Sequence, residues 1–202
     1  MNTSFTVGML LASAGLAFAG GSPVVVQPPG SPGGTIRSAT TQRMADNFTT
    51  PANARVTSLG WWGAAGSAES GDWIVEIYAS DGAGGVGTSL YEETIPNGSV
   101  EQSPFGSRFY WEADLSNHVS LAAGQEYWLS VYRFGGSLAF LWTTNADSAD
   151  GRYGRSNFPG SQDDYLVIDG TFDMAWQIIP APGSAALVLG AAALNGVRRQ
   201  RS

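Results

Sequence analysis

From Ala45 onward the chain alternates apolar and polar residues in short runs, each ended by glycine, asparagine, aspartate or serine. Trp73-Ile74-Val75-Glu76-Ile77-Tyr78 keeps its odd positions apolar and drops its one charge on the even face. Phe109 to Ala113, Glu126 to Tyr132, Ser137 to Trp142 and Phe172 to Trp176 alternate in a similar way. Successive side chains of a strand point to opposite faces, so such runs suit strands with one side on a core. Asp81-Gly82, Asn97-Gly98 and Ala123-Gly124 fall between them and supply turn chemistry. No long segment of this region carries an apolar stripe at helical spacing. With 27 glycines as punctuation, the pattern predicts an all-β domain over residues 45–179: a single antiparallel β-sandwich, jelly-roll-like.

The preceding segment reads differently. Gly20 to Thr35 holds Pro-Pro, Pro-Gly and Gly-Gly steps around one apolar patch, Val24-Val25-Val26. Residues 20–44 are therefore predicted as a Gly/Pro-rich linker and lead-in.

Both ends of the chain look like addresses. Val7 to Phe18 is apolar and small, and Ala17-Phe18-Ala19 has the small-x-small form that signal peptidase cuts. This predicts a signal helix over residues 1–19, removed after Ala19, although Met1 to Thr6 supplies no Lys or Arg. At the other end, Pro180-Ala181-Pro182 precedes an apolar run from Gly183 to Val197, closed by Arg198-Arg199-Gln200-Arg201. The run has 15 residues, about 22 Å as a helix, against the roughly 20 residues that a bilayer asks for. Such a helix is a weak permanent anchor and a reasonable transient one. Its arginines resist entering hydrocarbon and hold their end at the cytoplasmic face.

The layout of Pro180 to Arg201 resembles the bacterial PEP-CTERM sorting signal, with Ala181 where that family's Pro-Glu-Pro box has glutamate. The resemblance implies that Pro180, Ala181, Pro182, Arg198, Arg199 and Arg201 are read by an exosortase-like membrane peptidase. It implies transient anchoring in the inner membrane and display at the cell surface or in an extracellular, biofilm-type matrix, often alongside exopolysaccharide. A second resemblance covers Ala45 to Ile178. Ala45-Asp46-Asn47-Phe48-Thr49, Trp61-Trp62-Gly63, Trp73 to Tyr78, Leu121 to Leu129 and Met174-Ala175-Trp176 are similar to a β-sandwich domain common among PEP-CTERM cargo proteins. It implies the same fold and no defined chemistry.

Charge narrows the partners. Between the two processing sites lie all 17 acidic residues and seven arginines, a net charge of about −10. So acidic a surface repels phosphate backbones and argues against nucleic acid. There is no cysteine, so the exported domain must be held by its core, for which seven Trp, seven Tyr and nine Phe are available.

Catalytic motifs are absent from the sequence. His118 is the single histidine, set in the turn-like Ser116-Asn117-His118-Val119, and no Gly-x-Ser-x-Gly elbow accompanies it. One histidine without cysteine does not make a zinc site. Asn145, Asp147 and Asp150 are candidate calcium ligands in a loop, with Asp163 and Asp164 nearby in sequence. They miss the EF-hand register, because Ala149 falls on a ligand position and Asp150 on the glycine position. Glu92-Glu93 are strand neighbours and so face opposite ways; a glycosidase pair would need carboxylates from separate strands.

Aromatic pairs suggest binding instead. In a strand, Trp61-Trp62, Tyr110-Trp111 and Tyr127-Trp128 must each send one ring inward and one outward. Trp62, Trp111 and Trp128 are the candidates for a glycan-stacking platform, with Arg133, Arg152 and Arg155 available to orient acidic sugars; filling a core is the competing use. The expectation is an exported, non-catalytic structural or adhesive protein without a cofactor. A carbohydrate-binding module for exopolysaccharide is the alternative, and a polysaccharide-degrading enzyme the third reading.

Overall fold

The computed structural model describes residues 25–30, 34–38, 42–64, 71–134, 140–145, 151–156, 165–170 and 172–181. The helices expected of residues 1–19 and 183–197 lie outside the described residues. Those described contain strands, turns and one 3-10 turn at Asn97–Ser99, with no α-helix.

The strands form two antiparallel sheets packed face to face. In the first, β4 (Ala54–Ala64) is central, flanked on one side by β8 (Arg108–Leu121), which carries β7 (Glu101–Phe105) beyond it. On its other side lies β14 (Trp176–Pro180), which pairs in turn with β1 (Val25–Gln27). Past the end of β14, β10 (Phe140–Asn145) takes its place beside β4 at Trp142 opposite Gly63, and carries β2 (Thr35–Ser38) and β13 (Asp173–Met174). The second sheet runs β12 (Leu166–Asp169), β11 (Arg152–Ser156), β3 (Arg43–Thr49), β9 (Glu126–Phe134), β5 (Asp72–Ser80), β6 (Val86–Ile95).

The alternation read from the sequence sets what each sheet turns inward. On β5, Trp73, Val75 and Ile77 join the core, while Glu76 sits on the opposite face across from Glu92 of β6. On β4, Leu59 and Trp61 face the core from the other sheet. Trp61 and Trp111 meet Trp73 across the interface, with ring centroids 5.0 and 5.5 Å apart, and Phe140 meets Trp73 edge-on at 5.0 Å. A domain without disulfides relies on this aromatic layer, where each ring removes a large apolar area from water. Gly63 is required beneath it: a Cβ there would come within 2.5 Å of both the Phe140 and Trp111 rings.

Three boundaries differ from those expected. The segment read as linker contributes β1 and β2: Val25 pairs with Ile178, and Ile36 with Trp142. Val25 and Ile36 also pack against the core, so the apolar patch among the prolines and glycines is a strand rather than part of a tether. At the far end, Pro180 pairs with Val56, and the Ala181 N–H donates to the Arg55 carbonyl at 2.9 Å. The sandwich thus includes the first two residues of the predicted sorting box. Finally, the run Phe172 to Trp176 is two strands. Between them, the Ala175 N–H donates to the Thr143 carbonyl, while its own carbonyl accepts from the Trp62 N–H and from Trp142 Nε1.

Candidate functional site

The aromatic platform expected of Trp62, Trp111 and Trp128 is corrected by their burial. Trp111 is the inward member of its pair and 2% exposed. Trp62 and Trp128 do point away from the main core, yet they are 7% and 0% exposed. A second layer covers each of them. Trp62 packs on Tyr110 at 4.9 Å and Ala175, with Phe105 at its edge. Trp128 lies among Ala45, Tyr78, Val86, Tyr165 and Val167, and Arg152 sits over its ring at 5.6 Å. None of the three presents a ring face to solvent.

The arginines are also engaged. Arg133 is buried over the Trp73 ring at 4.5 Å, and its Nη2 donates to the Gly71 carbonyl and Asn97 Oδ1. Burial pushes its guanidinium below the usual arginine range, with Asp72 pulling it partly back. Arg152 forms an ion pair with Glu126 at 3.0 Å, and Arg155 donates to Gln42.

Three polar centres appear that the sequence did not single out. The first is Asp46 of β3, fully buried and pointing into the core between Met44 and Phe48. Its Oδ2 accepts from Trp176 Nε1 at 2.6 Å, the Met174 N–H at 3.2 Å and Gln27 Nε2 at 3.1 Å. One carboxylate of the second sheet therefore ties together β1, β13 and β14 of the first. A charge at an inward position of an alternating strand was its only sequence signal.

The second centre lies on the outer face of the second sheet. Glu76 is 1% exposed and accepts from Tyr78 at 2.6 Å, Arg43 at 3.2 Å and Tyr132 at 3.4 Å. Arg43 also covers the Tyr132 ring at 4.7 Å. Burial pushes the Glu76 carboxyl above the usual range, while the Tyr78 hydrogen bond and the Arg43 charge pull it back. The neighbouring Tyr165 hydroxyl is pushed up to about 12 by burial and by Glu76. A perturbed carboxyl is a mark of catalytic sites. Here it is closed off by its own partners, which suits a structural knot better than contact with a substrate.

The third centre is Glu126, at the loop end of the sandwich. It accepts from Asn47, Ser80 and Arg152. An open cavity of about 380 Å³ lies on one side of it, lined by Gln27, Asn47, Phe48, Asn145 and Asp173 among others. Another of about 520 Å³ lies on the other side, lined by Ser80, Leu90, Ser120, Gln125 and Tyr127 among others.

Carboxylates also meet across strands. Glu101 of β7 stands opposite Glu112 of β8, on whose far side Ser58 donates to Asp114. Glu112 is pushed above the usual range by burial and by the charges of Glu101 and Asp114, against a hydrogen bond from Tyr110. Because the folded protein favours the protonated form, this contribution to stability is present at low pH. It is lost as pH rises through the raised value. Glu112→Gln is therefore expected to raise stability at pH 7 by about 0.5 kcal/mol, the size of a cross-strand like-charge pair. Melting curves for both proteins should converge near pH 4; a gap that is unchanged across that range contradicts the assignment.

Of the calcium candidates, Asn145 ends β10 opposite Asp173. Asp147 and Asp150 lie outside the described residues, as do Asp163 and Asp164. Among the described residues no group of three or more acidic or histidine side chains could hold a metal ion. His118 is exposed and its Nδ1 lies 2.8 Å from the Arg55 guanidinium; among the described residues no serine–carboxylate relay is built around it. Pro180 and Ala181 are placed as described above. Pro182, Arg198, Arg199 and Arg201, like Ala17 and Ala19 of the signal site, lie outside the described residues. No family model, curated protein or solved structure matches this chain.

Proposed function

We propose that this protein is exported cargo: a non-catalytic sandwich delivered by a cleavable signal peptide, held briefly at the inner membrane by its tail, and displayed at the cell surface or in the extracellular matrix. Signal peptidase and an exosortase-like peptidase are its processing partners, and its role there is structural or adhesive. The observation that carries this reading is the junction at Pro180. The last described strand ends at Pro180, two positions before Pro182, after which the apolar run begins, so a self-contained domain is joined directly to the tail. The domain is of jelly-roll type on this reading. Support comes from the strand order β2–β10–β4–β8 facing β3–β9–β5–β6, which is that of interleaved Greek keys. Intact-mass measurement of the exported product tests the proposal, because retention of both Met1 and Ser202 contradicts it.

A second reading, binding of a neutral glycan, is favoured by the cavities on either side of Glu126. Amides, carboxylates and hydroxyls line them beside Phe48, Leu90 and Tyr127, a mixture that suits sugar hydroxyls and ring faces. A glycan array tests it: binding that Asn47→Ala weakens supports the site, and no binding at high protein concentration removes it.

A further inference from the structure

We propose that Asn97-Gly98 is a site of spontaneous covalent modification: the Asn97 amide is lost through a cyclic imide with Gly98, and Arg133 holds the carboxylate that results. The proposal stands apart from the export reading above.

The pair lies in the 3-10 turn between β6 and β7, where both residues are exposed. The turn closes through the Ser99 and Val100 N–H groups, which donate to the Pro96 and Asn97 carbonyls. The Gly98 N–H is not one of these closing donors. A Cβ at Gly98 would meet no atom within 4 Å, so its surroundings are open to water. Lacking that Cβ, glycine lets its own nitrogen swing toward the preceding side chain. Beneath the turn, Trp73 Nε1 donates to Asn97 Oδ1 at 3.3 Å, and Arg133 Nη2 donates to the same oxygen. Indole and guanidinium nitrogens only donate, so the group facing them is the carbonyl, and the Asn97 NH2 is turned away from them. The Asn97 N–H donates to the Asp72 carboxylate at 3.2 Å, which fixes the residue from its backbone side.

This arrangement suits attack of the Gly98 nitrogen on Asn97 Cγ. The nitrogen gives its proton to a solvent base as the new C–N bond forms. Negative charge then develops on Oδ1, between the two donors that already hold it. Nδ2 takes a proton from water and leaves as ammonia. A second step opens the ring: the hydroxyl of a water adds to one imide carbonyl, its bond to Gly98 N breaks, and that nitrogen recovers a proton. One water is consumed and one ammonia is released. Opening at Cγ leaves aspartate in an unchanged backbone; opening at the main-chain carbonyl carbon leaves isoaspartate.

Arg133 gives the product a partner. It is 3% exposed, and its Nε and Nη1 are buried with no hydrogen-bond partner among the described residues. The two acceptors on its Nη2, the Gly71 carbonyl and the Asn97 amide, are both neutral. A buried cation is costly until it is paired, and a carboxylate at position 97 pairs it where it stands. Asp72 repels the new charge, but Asp72 is exposed and screened by water, whereas Arg133 is buried, so the attraction prevails.

Three measurements on the full-length chain test the proposal. Incubated at mildly alkaline pH and followed by peptide mapping, Asn97 should deamidate in the native chain within about tenfold of its rate in urea. Protection greater than that overturns the proposal. Gly98→Ala places its Cβ in open space and should slow native conversion by at least about tenfold, because the attacking nitrogen is then hindered. A smaller effect overturns the imide route. Asn97→Asp makes the aspartate product directly and should melt at least about 2 °C above the parent at neutral pH. Paired with Arg133, its carboxyl titrates below the unfolded value, so the gain holds above that range and closes as pH falls through it. A variant that melts level with the parent or below it overturns the part given to Arg133.

Discussion

Asp46→Ala is expected to destabilise the domain by at least about 3 kcal/mol. Its Oδ2 accepts from the Trp176 indole, the Met174 backbone and Gln27, and the first two donors are buried. Removing the acceptor strands both, at about 1–3 kcal/mol each, and forfeits hydrogen bonds made to a charged group. The loss is also topological, because those donors sit on three strands of the opposite sheet. Urea denaturation supplies the number, and hydrogen exchange should show β1 losing protection first. Asp46→Asn keeps a carbonyl acceptor in place and should lose distinctly less. A change below about 1 kcal/mol for Asp46→Ala would show that the buried carboxylate does not fasten the sheets.

Trp73→Ala should cost more, about 4 kcal/mol or above. Deleting a buried tryptophan removes about 3–5 kcal/mol through lost burial and the cavity left behind. This one also carries the Arg133 guanidinium on its face, a contact of about 1–2 kcal/mol when desolvated. The rings of Trp61, Trp111 and Phe140 would line the void. Set against a total stability of about 5–15 kcal/mol, the variant verges on unfolding at ambient temperature. Trp73→Phe keeps a ring beneath Arg133 and should lose less than half as much. Thermal melts of the two variants check the ordering, and a Trp73→Ala protein within about 1 kcal/mol of the parent contradicts it.

The central strands were legible because their pattern is local. Trp73, Val75 and Ile77 alternate with Glu76, and the faces they occupy follow from that alone. The peripheral strands were not. Val25–Gln27 is three residues among prolines and glycines, and its partner Ile178 lies at the opposite end of the domain. Nothing near Val25 in sequence announces such a pairing. The tryptophans illustrate a related limit. Alternation correctly turns Trp128 away from the core, yet its cover, Tyr165 and Val167, comes from another part of the chain. Direction is a property of the strand, whereas exposure belongs to the assembled second layer. Asp46 is a charge between two core residues, a signal that passes unnoticed in the sequence because its partner Trp176 is 130 positions away. The polar centre at Glu76 resisted reading for the same reason: Arg43 and Tyr132 approach it from two other strands.

Placing the final strand between two neighbours has a mechanical result. A load pulling on the tail would draw β14 lengthwise past β1 and β4, straining several backbone bonds in parallel instead of peeling them one by one. A force applied along the chain at Ala181 would thus be borne at once by every bond that holds this strand.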